Sequence, residues 1–375
     1  MNVLKILNKK SKEKDIKYAS AFELMKWKFF KHKMAVISMI YLILAYFVML
    51  FSEFFIPNDP FKYDVKYTLA PPSKLHFKDD EGKFVLRPFI YGLKKKMNLK
   101  YMLMEFEEDT SRKYYFSFFS RGFDYYLLGL FKTNIHLFGV EKGGIFFPIG
   151  ADQMGRCVLS RTIYASRISL TIGLVGIAVS FLLGLLLGSI AAYKRGLVDD
   201  LIQRLIEAFQ CIPTLPLWMG LGAAIPATLS IPMTYFIMVL ILSLVGWTEL
   251  ARVVRGRFLT LLNEDYVTSA RLHGSGEVRI FIQHLIPSMT SHIIASLTLS
   301  IPGMILAETA LSFLGLGIRE PAVSWGVLLN TAQNINVLVN FPWQIFPALF
   351  VVLTVLAYNF LGDGMRDAAD PYSKV

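Results

Sequence analysis

The 375 residues are 54% hydrophobic and only 18% charged, where an ordinary soluble domain carries about 25% charge. The apolar residues run in blocks of about 20, the length that spans hydrocarbon as a helix, which excludes a water-soluble globule. The formal charge of +11 is not a nucleic-acid footprint, because ten lysines fall in the first 33 residues, directly before the first apolar block, where they favour a flank facing anionic lipid.

In chain order, residues 1–33 form a basic, cytoplasmic N-terminus, followed by an anchor over 34–56. Met34 to Phe51 is an apolar run of 18 residues with no small-residue cleavage site after it, so it reads as a retained span rather than a removed signal. The expected spans are Met34–Ile56, Ser169–Tyr193, Leu201–Ile225, Pro232–Leu250, Met289–Phe313 and Pro342–Leu361. The fold class is therefore all-α integral membrane with six transmembrane helices. The third span carries Gln203, Arg204 and Glu207 at its start, so its membrane portion is expected from near Phe209, kinked by Pro213 and Pro216. Gly173, Gly176, Ser180, Gly184 and Gly188 predict close helix packing at a subunit interface. Arg252, Arg255, Arg257, Arg271 and Arg279 crowd the 251–288 loop, while 226–231 is uncharged and 314–341 carries one arginine, Arg319. That asymmetry places both termini and the 251–288 loop inside.

The 57–148 segment is expected to be an extracytoplasmic, β-rich insertion. Lys74–Asp80 and Lys83–Phe89 flank an Asp-Glu-Gly turn and read as a hairpin. Tyr114 to Phe147 is dense in Phe and Tyr, punctuated by Gly122, Gly129, Gly139, Gly143 and Gly144. Such a domain is either a self-contained insertion or a docking surface for an external protein. Cys157 lies outside the membrane and Cys211 at the start of a span, which argues against their pairing, and no zinc spacing exists. His273 and His284 have no second ligand at metal spacing and read as surface and packing residues.

No G-x-x-x-x-G-K-[ST] loop, H-E-x-x-H or G-x-S-x-G motif occurs, so energy for any work must arrive from a partner. The 251–288 loop is too long for a simple helix connection, where about 2–8 residues is usual. A helix is expected from Asp265, capped by Asn263 or Asp265 and stopped by Gly274. A second helix from Ser275 would put Val278, Phe281, Ile282 and Leu285 on one face before Pro287 marks the start of span five. Two short helices at a glycine corner make a rigid knob, able to transmit motion.

The stretch Glu264–Pro287 resembles the cytoplasmic signature of ABC-importer permeases: Glu-Ala-Ala, three residues, Gly, nine residues, Ile-x-Leu-Pro. Here those positions are Thr268-Ser269-Ala270, Gly274 and His284-Leu285-Ile286-Pro287. The run 149–161 (IGADQMGRCVLSR) is similar to a motif of peptide permeases, as are Glu308–Gly317 with Ser324-Trp325-Gly326, and the ending Gly362–Pro371. Together they resemble the C-type permease of the dipeptide/oligopeptide/nickel group, over the N-terminal span and from about Phe147 onward. The resemblance implies a type I importer core over 149–375, a second homologous permease, two cytoplasmic ATPases that bind ATP and Mg, and an extracytoplasmic binding protein. This chain would bind no cofactor or metal, have no catalytic residue, and pass peptides, with oligosaccharides and nickel as alternative cargoes. It implies that Asp265, Tyr266, Thr268, Ser269, Ala270, Arg271, Gly274 and Pro287 belong to the ATPase-coupling region. Thr268 replaces the acidic residue of the family signature, so apolar seating and shape, rather than an ion pair, would decide docking.

Arg252, Arg255 and Arg257 are read as positive-inside anchors, with contact to the ATPases as the alternative. Glu308, with Ser312 and Trp325, is a candidate gate or pathway group, because an ionisable residue in a span faces a partner or cavity; a buried structural hydrogen bond is the alternative. Trp325 reads preferentially as an interfacial aromatic. An ATP-independent carrier or channel would show paired intramembrane charges or inverted repeats, which the spans lack.

Overall fold

A computed structural model describes residues 21–78, 84–98 and 103–369. Most of the basic N-terminus, the Asp-Glu-Gly turn of the expected hairpin and the last two residues of the Gly362–Pro371 motif lie outside them. Five helices among the described residues are long and apolar enough to cross a membrane.

Helix α1 (Ala21–Lys31) leads into α2 (Lys33–Leu50), where the His32 ring accepts from the Ala35 N–H at 3.1 Å. α2 buries Ala35, Ser38, Leu42 and Met49 and exposes Ile37, Ile40, Ile43, Leu44, Phe47 and Leu50. An outward apolar stripe of that extent is a liability in water and a requirement in hydrocarbon. On the inner side, the Tyr41 and Tyr46 hydroxyls meet those of Thr354 and Tyr358 at 3.2 and 2.6 Å. The short α3 (Ser52–Phe55) follows, and Glu53 on it takes a forked ion pair from Arg167.

Four antiparallel strands come next in sheet order: β1 (His76–Lys78), β2 (Phe84–Asn98), β3 (Leu103–Leu127) and β4 (Phe131–Val140). β1 pairs β2 with His76 opposite Phe89, and β3 pairs β4 with Phe118 opposite Phe138.

Helix α4 (Val158–Lys194) then runs the depth of the molecule. Its small residues serve this chain rather than a subunit interface, which corrects the expectation. A Cβ on Gly173 would lie 2.8 Å from Ile305, and one on Gly188 2.5 Å from the Ala251 carbonyl. Backbones approach that closely only where side chains are absent. Ile305 belongs to a later helix, and the partner at Gly188 is α7 (Ile231–Leu261), whose Ser243 hydroxyl also donates to the Gly176 carbonyl at 3.0 Å.

The third expected span is not one kinked helix. It divides into α5 (Gly196–Cys211) and α6 (Thr214–Ala223), with Ile212 extended at ψ 125° and Pro213 at ψ 123°. A proline disfavours helical backbone in the residue before it and denies the helix an N–H, so the chain breaks instead of bending. Pro216 is tolerated in the first turn of α6, where N–H groups have no helical partner. α5 is amphipathic: Ile202 and Ile206 pack against Ala191, Trp247 and Ala251, while Leu201 and Leu205 face outward.

Beyond α7 come α8 (Asp265–Leu272) and α9 (Glu277–Ile280), then a π-helical turn (Phe281–Leu285) that runs straight into α10 (Ile286–Phe313). Pro287 cannot donate to the preceding turn and its ring crowds it, so the helix widens there and continues. The two short helices α11 (Trp325–Asn330) and α12 (Ile335–Asn340) lie between α10 and α13 (Phe346–Ala369). Gly362 of α13 sits against Leu299 of α10, where a Cβ would fall 2.6 Å away.

Candidate functional site

Three constellations stand out, one at each end of the bundle and one inside it. At one end, α8 projects beyond α7. Its preceding residue, Glu264, occupies the cap position without a side-chain hydrogen bond, so neither Asn263 nor Asp265 caps it as expected. It ends in a Schellman motif: Gly274 at φ +76° lets its N–H reach the Arg271 carbonyl at 2.9 Å and the Ser275 N–H reach Ala270 at 3.0 Å. Val267, fully buried, anchors the helix among Phe258, Leu262, Ile280 and Leu285. Asp265, Tyr266, Thr268, Ser269, Arg271, Leu272 and Gly274 all face outward, and Ala270 is half-buried. The Thr268 hydroxyl turns back on the Glu264 carbonyl at 3.4 Å.

The second helix does not present the expected face. Val278 and Ile282 are 72% and 57% exposed, while Ile280 and Leu285 are buried, and a π turn over Phe281–Leu285 interrupts the regular helical face. Pro287 lies in the first turn of α10, apart from the outward face of α8. Nearby, Arg255 grips both oxygens of Asp199 at 2.5 Å and ties α7 to the start of α5. Arg255 is thus a structural clasp, which simple anchoring by positive charge does not describe.

Inside the bundle, Glu308 is completely buried. It accepts from Ser312 at 2.7 Å and from Ser169 of α4 at 3.4 Å. The Ser169 hydroxyl also accepts the Trp325 N–H at 3.0 Å, and the Trp325 indole donates to the Thr162 carbonyl at 3.0 Å. Ser312 further accepts the Ile318 N–H at 3.0 Å. Glu308, Ser312 and Trp325 therefore form one hydrogen-bonded cluster joining α4, α10 and the start of α11. Trp325 is 1% exposed, which overturns its reading as an interfacial aromatic. A buried indole is tolerated because its N–H has a partner.

At the end carrying the sheet, Asp152 and Glu320 share the guanidinium groups of Arg156 and Arg161. Asp152 receives Arg156 at 2.8 Å and Arg161 at 2.5 Å, and Glu320 receives each at 2.8 Å. Asp152 also accepts the N–H groups of Met154 and Arg156, both at 2.9 Å. Two positive and two negative charges cancel, so the cluster avoids a net buried charge. Burial alone would raise the Glu320 carboxyl, but the hydrogen bonds and charges of Arg156 and Arg161 hold it below its ordinary range. Beside it, burial pushes the Cys157 thiol up. Nothing local in the sequence marks Glu320, which lies far along the chain from its partners; the crowding of Asp152, Arg156 and Arg161 was the only hint.

Residues 184–374 match the family described as binding-protein-dependent transport system inner membrane component. Residues 20–72 match the N-terminal transmembrane domain of oligopeptide transport permease C. The chain is similar to the dipeptide transport system permease protein of Bacillus subtilis, 39% identical over 59% of this chain and 68% of that one. It is also similar to the oligopeptide transport system permease protein of Haemophilus influenzae, 38% identical over 61% of this chain and 71% of that one. The di/tripeptide transport system permease protein of Pseudomonas aeruginosa is 36% identical over 63% of this chain and 75% of its own. A multi-pass bundle with a projecting α8 and these matches lead to one conclusion: the chain belongs to the binding-protein-dependent transport system inner membrane components, among the permeases of C type.

Proposed function

We propose that this chain is one of two homologous permeases lining the pathway of an ATP-driven importer for di- or oligopeptides. Its dipeptide, oligopeptide and di/tripeptide permease relatives support that cargo. An extracytoplasmic binding protein delivers the peptide, and two cytoplasmic ATPases hold the ATP and Mg. Both termini and α8 face the cytoplasm of a prokaryotic cell, and the 57–148 segment faces outward. The chain crosses six times, with α5 and α6 together making the third passage. Asp199 at the α5 start is tied to Arg255 near the end of α7, and Gly222 in α6 packs against Leu316 beyond the far end of α10, which supports that path.

The observation that carries the coupling role is the rigid α8 knob, anchored by Val267 and apolar outside at Tyr266 and Leu272, which is 83% exposed. Seated in an ATPase groove, α8 transmits the nucleotide-driven movement to α7 and α10 through the Phe258–Val267–Ile280 cluster. With threonine at 268, shape and apolar contact hold it; an exposed ion pair would add only about 0–1 kcal/mol. Glu308, Ser312 and Trp325 brace the outer end of the pathway, a role their complete enclosure supports. Cysteines placed at Ser269 and Leu272 crosslink to a co-expressed ATPase and impair peptide uptake on this reading. Normal uptake with no crosslink at either position refutes it.

A further inference from the structure

The β3–β4 hairpin has an apolar tip where water calls for a polar one. Its closing turn holds Leu128 at φ +51° and Gly129 at φ +74°, with the Leu130 N–H donating to the Leu127 carbonyl at 3.0 Å. Hairpin turns with positive φ at both central residues favour Asn-Gly or Asp-Gly. A leucine at the first of these positions is strained. Leu128, Leu130 and Phe131 are 52%, 73% and 70% exposed, so packing within the chain does not explain them.

A second strained apolar residue lies further back on the same hairpin. Phe119 sits at φ +53° with its ring 6.3 Å from Phe54 of α3. Phe54 in turn meets Phe55 at 5.4 Å, Phe55 meets Phe47 at 6.0 Å, and Phe47 lies on the outward apolar stripe of α2. The rings thus form an unbroken path from the lipid-facing side of α2 to the hairpin. The hairpin is also pinned at that level: a His136 ring nitrogen lies 2.7 Å from the Glu53 carbonyl oxygen. Gly122 permits this seat, since a Cβ there would come within 2.6 Å of the same ring.

We propose that the β3–β4 tip dips into the lipid leaflet beside the end of α2, with Leu128, Leu130 and Phe131 among the upper acyl chains. Continuity with the lipid-facing stripe of α2 identifies the occupant as bilayer. Tyr126, 61% exposed, stands one position before the tip-proximal end of β3 and meets the headgroups. Amphipathic elements at this boundary bury their apolar side about 5–10 Å deep. The hairpin then fixes the height and tilt of the sheet over the bundle, because its tip and its His136 seat are both held. The inference rests on reading α2 as a membrane helix.

The test uses the full chain in nanodiscs with Cys211→Ser, leaving buried Cys157. Single cysteines at Leu128, Leu130 and, as a reference, Ile40 of α2 carry a small fluorophore. A lipid-borne quencher placed near the headgroup should extinguish the Leu128→Cys and Leu130→Cys probes several-fold more than aqueous iodide does. The Ile40→Cys probe should respond to lipid quencher deeper in the chains. A tip probe open to iodide and insensitive to lipid quencher overturns the proposal while a quenched Ile40→Cys probe leaves the α2 reading intact. A tip probe shielded from both assigns the tip to a protein partner and overturns it equally. An unquenched Ile40→Cys probe removes the α2 reading and the proposal together.

Discussion

Deleting the Arg161 guanidinium tests whether the four-charge cluster holds the Asp152–Cys157 turn on the bundle. Arg161 is 3% exposed and donates to Asp152 at 2.5 Å and to Glu320 at 2.8 Å. Arg161→Met keeps most of the apolar stem and removes the charge. Stripping one partner from a buried ion pair costs about 3–5 kcal/mol. Two features reduce that figure here. Asp152 keeps Arg156 at 2.8 Å and two backbone N–H donors, and the Glu320 side chain is 40% exposed, so water replaces its lost bond. The net cost is then about 2 kcal/mol, or roughly thirtyfold in the equilibrium for local opening.

Cys157 reports that opening. It is 1% exposed and bridged to Ala151 across the turn, so a thiol reagent reaches it only when the turn lifts. With Cys211→Ser removing the exposed thiol, Arg161→Met should raise the Cys157 labelling rate by about thirtyfold under native conditions. Glu320→Gln, which weakens a half-exposed partner worth about 0–1 kcal/mol, should raise it by no more than about fivefold. A labelling rate for Arg161→Met within about twofold of the parent would refute the assignment of the cluster as the clamp of this turn. So would a larger effect from Glu320→Gln than from Arg161→Met.

The depressed Glu320 carboxyl makes part of this clamp pH-dependent. Its folded pKa lies below its unfolded value of about 4.3, so its contribution is complete above that pH and is lost as pH falls through the lower folded value. The thermal midpoint in detergent should therefore drop less on acidification in Glu320→Gln than in the parent; identical acid profiles would count against it. At the α4–α7 contact, Gly188→Ala should lower the midpoint through an overpacking cost of about 1–3 kcal/mol, because its Cβ would lie 2.5 Å from the Ala251 carbonyl. Gly220→Ala in α6, where a Cβ meets nothing within 4 Å, is the control, expected to stabilise by about 0.5–1 kcal/mol.

Helix α8 and its glycine stop were legible because their determinants are local. Asp265 to Leu272 is short, and Gly274 supplies the positive φ that ends it. The third span was misjudged for a reason equally local but harder to weigh. Pro213 and Pro216 allow either a kink or a break, and the choice depends on what satisfies the freed backbone groups. The glycine and serine stripe of α4 announced close approach, but the partner expected from it, a second subunit, gave way to α7 and α10 of this chain.

What the amino-acid order determined alone is what hydrophobicity, proline, glycine and charge encode within a turn or two: apolar spans, a basic side, a glycine-stopped knob and the motifs of a permease. Tertiary structure decided the rest. Only packing could bring Glu320 to Arg156 and Arg161, turn Trp325 inward onto Thr162, and convert Arg255 into a clasp for Asp199. The reason is physical. A span's periodicity follows from its own backbone, whereas the partner that neutralises a buried charge is chosen by chain topology, at separations no local pattern records.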